Sequence, residues 1–171
     1  FPTSFYLGLT GGFSNGDNES SFNGPSRQDF VYNARLETSF DLGEDVTVLL
    51  GASGVWGNND AGLLSHVYGG DLMLRWKPAP YRSLTWQSEY LNRYKNDPAG
   101  DIRDDGFYSF IDYQFGKRWH AALRYDQVGL LDDSITGRYR ITPAVSFSPS
   151  EFSQLRLQYE FDKTTNVAAN H

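Results

Sequence analysis

The chain has 171 residues, a formal net charge of −6 and no cysteine, which excludes a disulfide framework and a thiolate metal site and argues against a nucleic-acid surface, where a basic patch is expected. It carries 12 Phe, 11 Tyr and 4 Trp, yet its mean hydropathy is −0.52. Such a mixture results when half of the strand positions face an apolar medium, half face water and the loops are polar; no apolar run reaches the roughly 18 residues of a membrane helix.

Nine segments read as strands, because apolar and polar residues alternate with the period of two that sends successive side chains to opposite faces. The first, Thr3 to Phe13, puts Phe5, Leu7, Leu9 and Phe13 on one face. The second, Gln28 to Leu42, sets Phe30, Tyr32, Ala34, Leu36, Phe40 and Leu42 against Asn33, Arg35, Glu37 and Ser39. In the third, Val46 to Gly57, Val46, Val48, Leu50, Ala52 and Trp56 share a face, and Leu49 and Val55 spoil the alternation.

The fourth, Val67 to Lys77, sets Tyr68, Leu72, Leu74 and Trp76 against Asp71, Met73, Arg75 and Lys77. The fifth, Ser83 to Tyr94, opposes Leu84, Trp86, Tyr90 and Tyr94 to Thr85, Gln87, Glu89 and Arg93. Phe107 to Phe115 and Trp119 to Gly129 follow as the sixth and seventh, with Asp112 on the polar parity of one and His120, Arg124 and Asp126 on that of the other. The eighth and ninth form the hairpin Gly137 to Asp162, where Arg138, Arg140, Arg156, Gln158 and Glu160 face away from Tyr139, Ile141, Val145, Phe147, Leu155, Leu157, Tyr159 and Phe161. Pro143 cannot donate to a ladder, so a bulge, an edge or a local break is expected in strand eight.

On this reading the apolar parity of all nine strands is free of charge. A charge on the outer face of a membrane barrel costs roughly 2 to 4 kcal/mol at mid-bilayer, which is a sufficient reason. Compact turns (D-L-G-E-D, K-P-A-P-Y-R, F-G-K-R, S-P-S-E-F-S) alternate with longer polar loops, the sign of an up-and-down meander with two different ends. Aromatic residues gather near strand ends, among them Trp56, Trp76, Trp86, Trp119 and Phe147, as interfacial girdles require.

The segments Y-R-S-L-T-W-Q-S-E-Y, D-D-G-F-Y-S-F-I-D-Y-Q-F-G-K-R-W, L-R-Y-D and S-P-S-E-F-S-Q-L-R-L-Q-Y-E-F-D give the chain its style. It resembles Gram-negative outer-membrane β-barrels, specifically the C-terminal strands of porin-like or TonB-dependent-receptor-like proteins. The resemblance implies an all-β, transmembrane, antiparallel up-and-down barrel in the bacterial outer membrane, with short turns periplasmic and long loops extracellular. Residues 1–171 then form a single barrel domain or the C-terminal portion of one. Nine strands are an odd number where bacterial barrels have an even one, so at least one closing strand is expected to be missing, with 163–171 the start of an extracellular loop or a disordered tail.

The lumen lining expected on this basis is Arg35, Glu37, Asp71, Arg75, Glu89, Arg93, Asp112, Arg124, Asp126, Arg138, Arg140, Arg156 and Glu160. These charges either form a solvated wall by pairing across strands or orient solutes. The cluster Arg124, Arg138, Arg140 and Arg156 either favours anions or pairs with Asp126, Glu160 and Asp162. Asp97, Asp101, Asp104 and Asp105 offer clustered carboxylates for Ca²⁺ but lack the spacing of a calcium loop, so no metal site and no cofactor is expected. His66, His120 and His171 lie far apart in the chain, and no catalytic site is expected.

The function expected is a porin-like channel for small solutes; the alternatives are a plugged uptake receptor or a scaffold barrel holding a periplasmic or surface protein, and, further off, a soluble carbohydrate-binding β-sandwich. The expected partners are outer-membrane lipid and solutes in the lumen, with no nucleic acid.

Overall fold

The computed structural model describes residues 5–18, 21–26, 28–130 and 137–164. Ten strands form one antiparallel sheet in chain order: β1 (Phe5–Asn15), β2 (Phe30–Leu42), β3 (Val46–Asn58), β4 (Leu64–Ala79), β5 (Arg82–Lys95), β6 (Ile102–Gln114), β7 (Trp119–Val128), β8 (Arg138–Ser150), β9 (Ser153–Gln158) and β10 (Phe161–Thr164). Each of β1 to β7 pairs with the next, and β9 and β10 both pair with β8. The sheet is not closed: β1 and the β9–β10 pair are its two edges.

β9 and β10 are one strand in register terms. Ala144 opposes Gln158 and Ile141 opposes Phe161, so the count across Tyr159 and Glu160 is unbroken. The interruption lies opposite Pro143. Tyr159 donates its backbone N–H to the Pro143 carbonyl at 3.1 Å, and proline has no N–H to return. The expected break therefore falls in the partner strand, while β8 itself runs through Pro143 from Arg138 to Ser150.

The register fixes the faces, because residues directly opposite one another share a side of the sheet. Arg35 opposes Ser53, Asp71 opposes Glu89, Tyr108 opposes Asp126 and Arg140 opposes Asp162, all on one polar face. Leu36 with Ala52, Leu74 with Trp86, and Val145 with Leu157 lie on the other. Leu49 and Val55, the residues that break the alternation of β3, stand on the polar face opposite Met73 and Val67.

Among the described residues no strand packs on the apolar face, since only ladder neighbours approach one another. The accessible surface is 12047 Å², against about 8,500 Å² for a compact monomer of this mass. Buried apolar side chains among the described residues are confined to Val31, Val48 and Ala144. The described residues thus form a wall with two faces, without a core between layers.

Two expectations about that wall are corrected. The strands run further than alternation suggested: β6 begins at Ile102, because Asp104 and Asp105 sit in the ladder opposite Arg93 and Asn92. That extension places Arg103 and Asp105 on the apolar parity, where Arg82 at the start of β5 and Lys163 in β10 also fall, so this face is not wholly free of charge. Arg82, Arg103 and Lys163 stand at strand ends, and Asp105, the fourth residue of β6, is buried and accepts the Leu130 amide. Lys163 and Thr164 belong to β10, whereas residues 165–171 of the expected tail, His171 among them, lie outside the described residues.

Candidate functional site: the charged polar face

Every residue expected to line a lumen lies on the polar face. On β2 to β4, Arg35 forks onto Asp71 through two bonds of 2.8 and 2.9 Å and donates its Nε to Glu37 at 3.2 Å. Arg35 and Asp71 stand on strands separated by β3, roughly 9 to 10 Å apart. They meet because Gly51 lies between them: a β-carbon there would come within 2.3 Å of Asp71 Oδ2 and 2.5 Å of the Arg35 guanidinium. Tyr6 of β1 extends the cluster by directing its hydroxyl to Glu37 at 3.5 Å.

At the long-loop end, Arg93 pairs with Asp104 across the β5–β6 ladder and donates to Ser21 Oγ at 3.2 Å. Ser21 belongs to the segment between β1 and β2, so that segment crosses the polar face from β2 as far as β5. Phe22 and Val31 close over Gly57, where a β-carbon would meet Val31 Cγ2 at 2.8 Å. Asn58 donates to Asp29 at 2.9 Å, and Lys95 reaches Asp60 at 2.9 Å. The Asp60 carboxyl, outside the strands, is held below the usual carboxylate range by the hydrogen bond and the charge of Lys95.

Of the four arginines expected to cluster, Arg124 and Arg140 are engaged by carboxylates, Arg156 is bonded to the neutral Gln158, and Arg138 stands beside Arg140 on the same face of β8. Arg124 forks onto Asp126 with bonds of 2.6 to 2.9 Å and lies 4.9 Å over the Tyr108 ring, and Gln87 donates to the Tyr108 hydroxyl at 2.8 Å. Arg140 binds Asp162 at 2.6 and 3.1 Å and has Glu160 at 3.5 Å. Arg156 donates its Nε to Gln158 at 3.1 Å, and Gln158 donates in turn to Glu160 at 3.2 Å. Side chains from five strands, from Gln87 through Tyr108, Arg124 and Arg140 to Gln158, line a groove of about 700 Å³. The polar face is concave there.

The remaining candidates disperse. Asp112 meets His120 Nδ1 at 2.9 Å near the short turns, with Ser146 opposite His120 in the ladder. His66 is on the apolar face, stacked 5.0 Å from Tyr94. The acidic run has separate partners: Asp97 accepts the Ala99 amide, Asp101 the Tyr94 hydroxyl, Asp104 the Arg93 guanidinium and Asp105 the Leu130 amide. Among the described residues no group of three or more His, Cys, Asp or Glu is placed to hold a metal ion.

The girdle residues stand on the apolar face. Tyr113, Phe115, Trp119 and Phe147 form a run of ring contacts at the short-turn end, with Trp119 and Phe147 4.6 Å apart. Trp76 and Trp86 lie on the same face, paired with Leu84 and Leu74. At the long-loop end, Trp56 lies across Gly54 and donates Nε1 to the Tyr68 hydroxyl at 2.9 Å.

Two features of the site escape the sorting of charges. Gly51 reads only as a weak strand residue until the register puts Arg35 and Asp71 on either side of it. Phe110, between Gln87 and Arg124 in the ladder, is an aromatic on the polar parity of β6, a signal that was present in the alternation itself.

The chain is 26% identical, over 197 aligned positions, to a protein of Aquifex aeolicus (strain VF5) described only as uncharacterised. That match takes in 92% of this chain and 42% of the relative, so the chain spans about two fifths of the length of the curated relative it matches. No family model matches the chain. No solved structure matches it.

Proposed function

We propose that the chain is wall of a membrane-spanning antiparallel β-barrel of a bacterial outer membrane, and that small solutes pass along its polar face. The observation that carries this reading is the uncovered apolar face of a one-layer sheet whose other face holds the ion pairs. Leu9 and Leu157 are each 79% exposed. Burying such a side chain is worth about 1.5 to 3 kcal/mol, a gain that hydrocarbon supplies and water does not.

Three further features support it. Strands β1 to β8 run from 10 to 16 residues, and a tilted membrane strand needs about 9 to 11. Three of the four charges on the apolar parity, Arg82, Arg103 and Lys163, stand at strand ends, where the cost of a charge falls to roughly 0 to 1 kcal/mol. Aromatic rings occupy both ends of the same face.

The two edges ascend in the same direction, since they hold the first and ninth positions of an alternating sheet, eight steps apart. Joining them directly would make a parallel seam, so an antiparallel barrel needs an odd number of further strands. A protein of the length of the Aquifex relative has chain enough to supply them.

The reading is tested by Leu157→Arg on the apolar face and Gln158→Arg on the polar one. Leu157→Arg is expected to lower the yield of folded protein in lipid vesicles severalfold and Gln158→Arg to leave it unchanged; equal tolerance, or folding to a soluble monomer in plain buffer, overturns the reading. A second reading, a bore filled by a plug or a partner protein, draws on Leu49, Val55, Val67 and Met73, apolar side chains that stand on the polar face. Conductance across a planar bilayer by the full-length protein separates the two, because a filled bore does not conduct.

A further inference from the structure

We infer that the groove over β5 to β9 is a subsite for a neutral, polyhydroxylated ring solute, a saccharide, stacked on Phe110. The inference rests on the channel reading and names the class of solute for the same face.

Charge balance is the first ground. Arg124, Arg140 and Arg156 stand near three carboxylates, Asp126, Glu160 and Asp162: Arg124 and Arg140 are forked onto carboxylates, Arg156 is bonded to the neutral Gln158, and Arg138 does not line the groove. Paired charges cancel at a distance, so the groove offers an ion little net attraction. They retain capacity for hydrogen bonds, since a carboxylate accepts at about four lone-pair positions and a guanidinium donates through five N–H groups. The Arg156 terminal nitrogens have no acceptor among the described residues, and Gln87, whose amide nitrogen holds Tyr108, keeps its carbonyl for a donor. A sugar hydroxyl both donates and accepts, which suits this mixture better than a simple anion does.

Phe110 is the second ground. It is a half-buried apolar ring on a polar face, with no aromatic partner among the described residues, and it lies between Gln87 on one side and Arg124 on the other. A saccharide presents polarised C–H groups on the flat of its ring and hydroxyls around the rim. The C–H face meets the negative face of an aromatic ring favourably, and planar amide and guanidinium groups beside the ring reach the rim. The groove, at about 700 Å³, falls within the roughly 300 to 1,000 Å³ of small-ligand sites.

The test is equilibrium titration of the folded chain in micelles with neutral sugars (glucose, sucrose, maltotriose and raffinose), with citrate as the anionic comparator. At least one sugar is expected to bind with an affinity that a tenfold rise in salt leaves unchanged. Phe110→Ala is expected to weaken it about tenfold and Phe110→Trp to retain it, with Ile111→Ala on the opposite face as the unaffected control. Far-UV circular dichroism verifies that each variant is folded. Binding of citrate in place of every sugar, no sugar binding at all, or an affinity indifferent to Phe110→Ala overturns the inference. Sugar binding without conductance sinks the channel reading alone; conductance without sugar binding sinks this inference alone.

Discussion

At Gly51 two residue-level effects oppose each other, and their signs can be separated. Glycine in the middle of a strand is destabilising by roughly 0.5 to 1 kcal/mol relative to alanine, so intrinsic preference favours Gly51→Ala. Against this, a β-carbon at 2.3 Å from Asp71 Oδ2 must displace the Arg35–Asp71 fork, whose Asp71 side chain is only 13% exposed. Loss of a bidentate, partly shielded pair is worth about 1 to 2 kcal/mol after allowance for solvent at Arg35. Gly51→Ala is therefore expected to destabilise the protein by about 0.5 to 1 kcal/mol in urea titrations in micelles. In an Arg35→Met, Asp71→Asn background the same substitution is expected to stabilise it. A loss of equal size in both backgrounds would show that the clash is with backbone and not with the ion pair.

The elements were legible to the extent that period-two alternation is local. Faces of β2, β4, β5, β7 and β8 follow from a handful of adjacent residues, and the charges from Arg35 to Glu160 fall where that pattern sends them. What alternation cannot contain is register, which joins residues far apart in the chain. The acidic run of 101–105 has a loop composition, yet Arg93 pairs with Asp104 and draws the start of β6 back to Ile102. Pro143 illustrates the same limit. Its missing N–H predicts a lost ladder bond, but only the register identifies Tyr159 as the residue deprived of it. Restoring the donor with Pro143→Val is expected to merge β9 and β10 and to add about 0.5 to 1.5 kcal/mol, the net worth of one hydrogen bond. Hydrogen exchange measures it: the new amide at 143 and those of Tyr159 and Phe161, which point to β8, should become protected together. Protection unchanged at Tyr159 and Phe161 would mean that the interruption has another cause.

At the scale of the whole molecule the two edges govern behaviour. An edge strand leaves every second N–H and C=O without a partner, and in hydrocarbon each such group costs several kcal/mol, so an open sheet is not a stable way to span a bilayer. Neither edge can satisfy the other in antiparallel fashion, because β1 and β9–β10 ascend together. A second copy of the chain in the same orientation meets the same obstacle, since its β1 also runs parallel to the β9–β10 edge of the first. On the proposed barrel reading the antiparallel partner is a descending strand outside β1 to β10. Exchange of this 171-residue chain in micelles should accordingly be slow at all amides of β4 and β5 and fast at alternate amides of β1, with the fast set on the side away from β2. The same alternate amides should become as slow as those of β5 in a longer protein that brings the descending strand. Uniform slow exchange along β1 in the 171-residue chain would show the edge already paired, and the parity argument for an odd number of added strands would then fail.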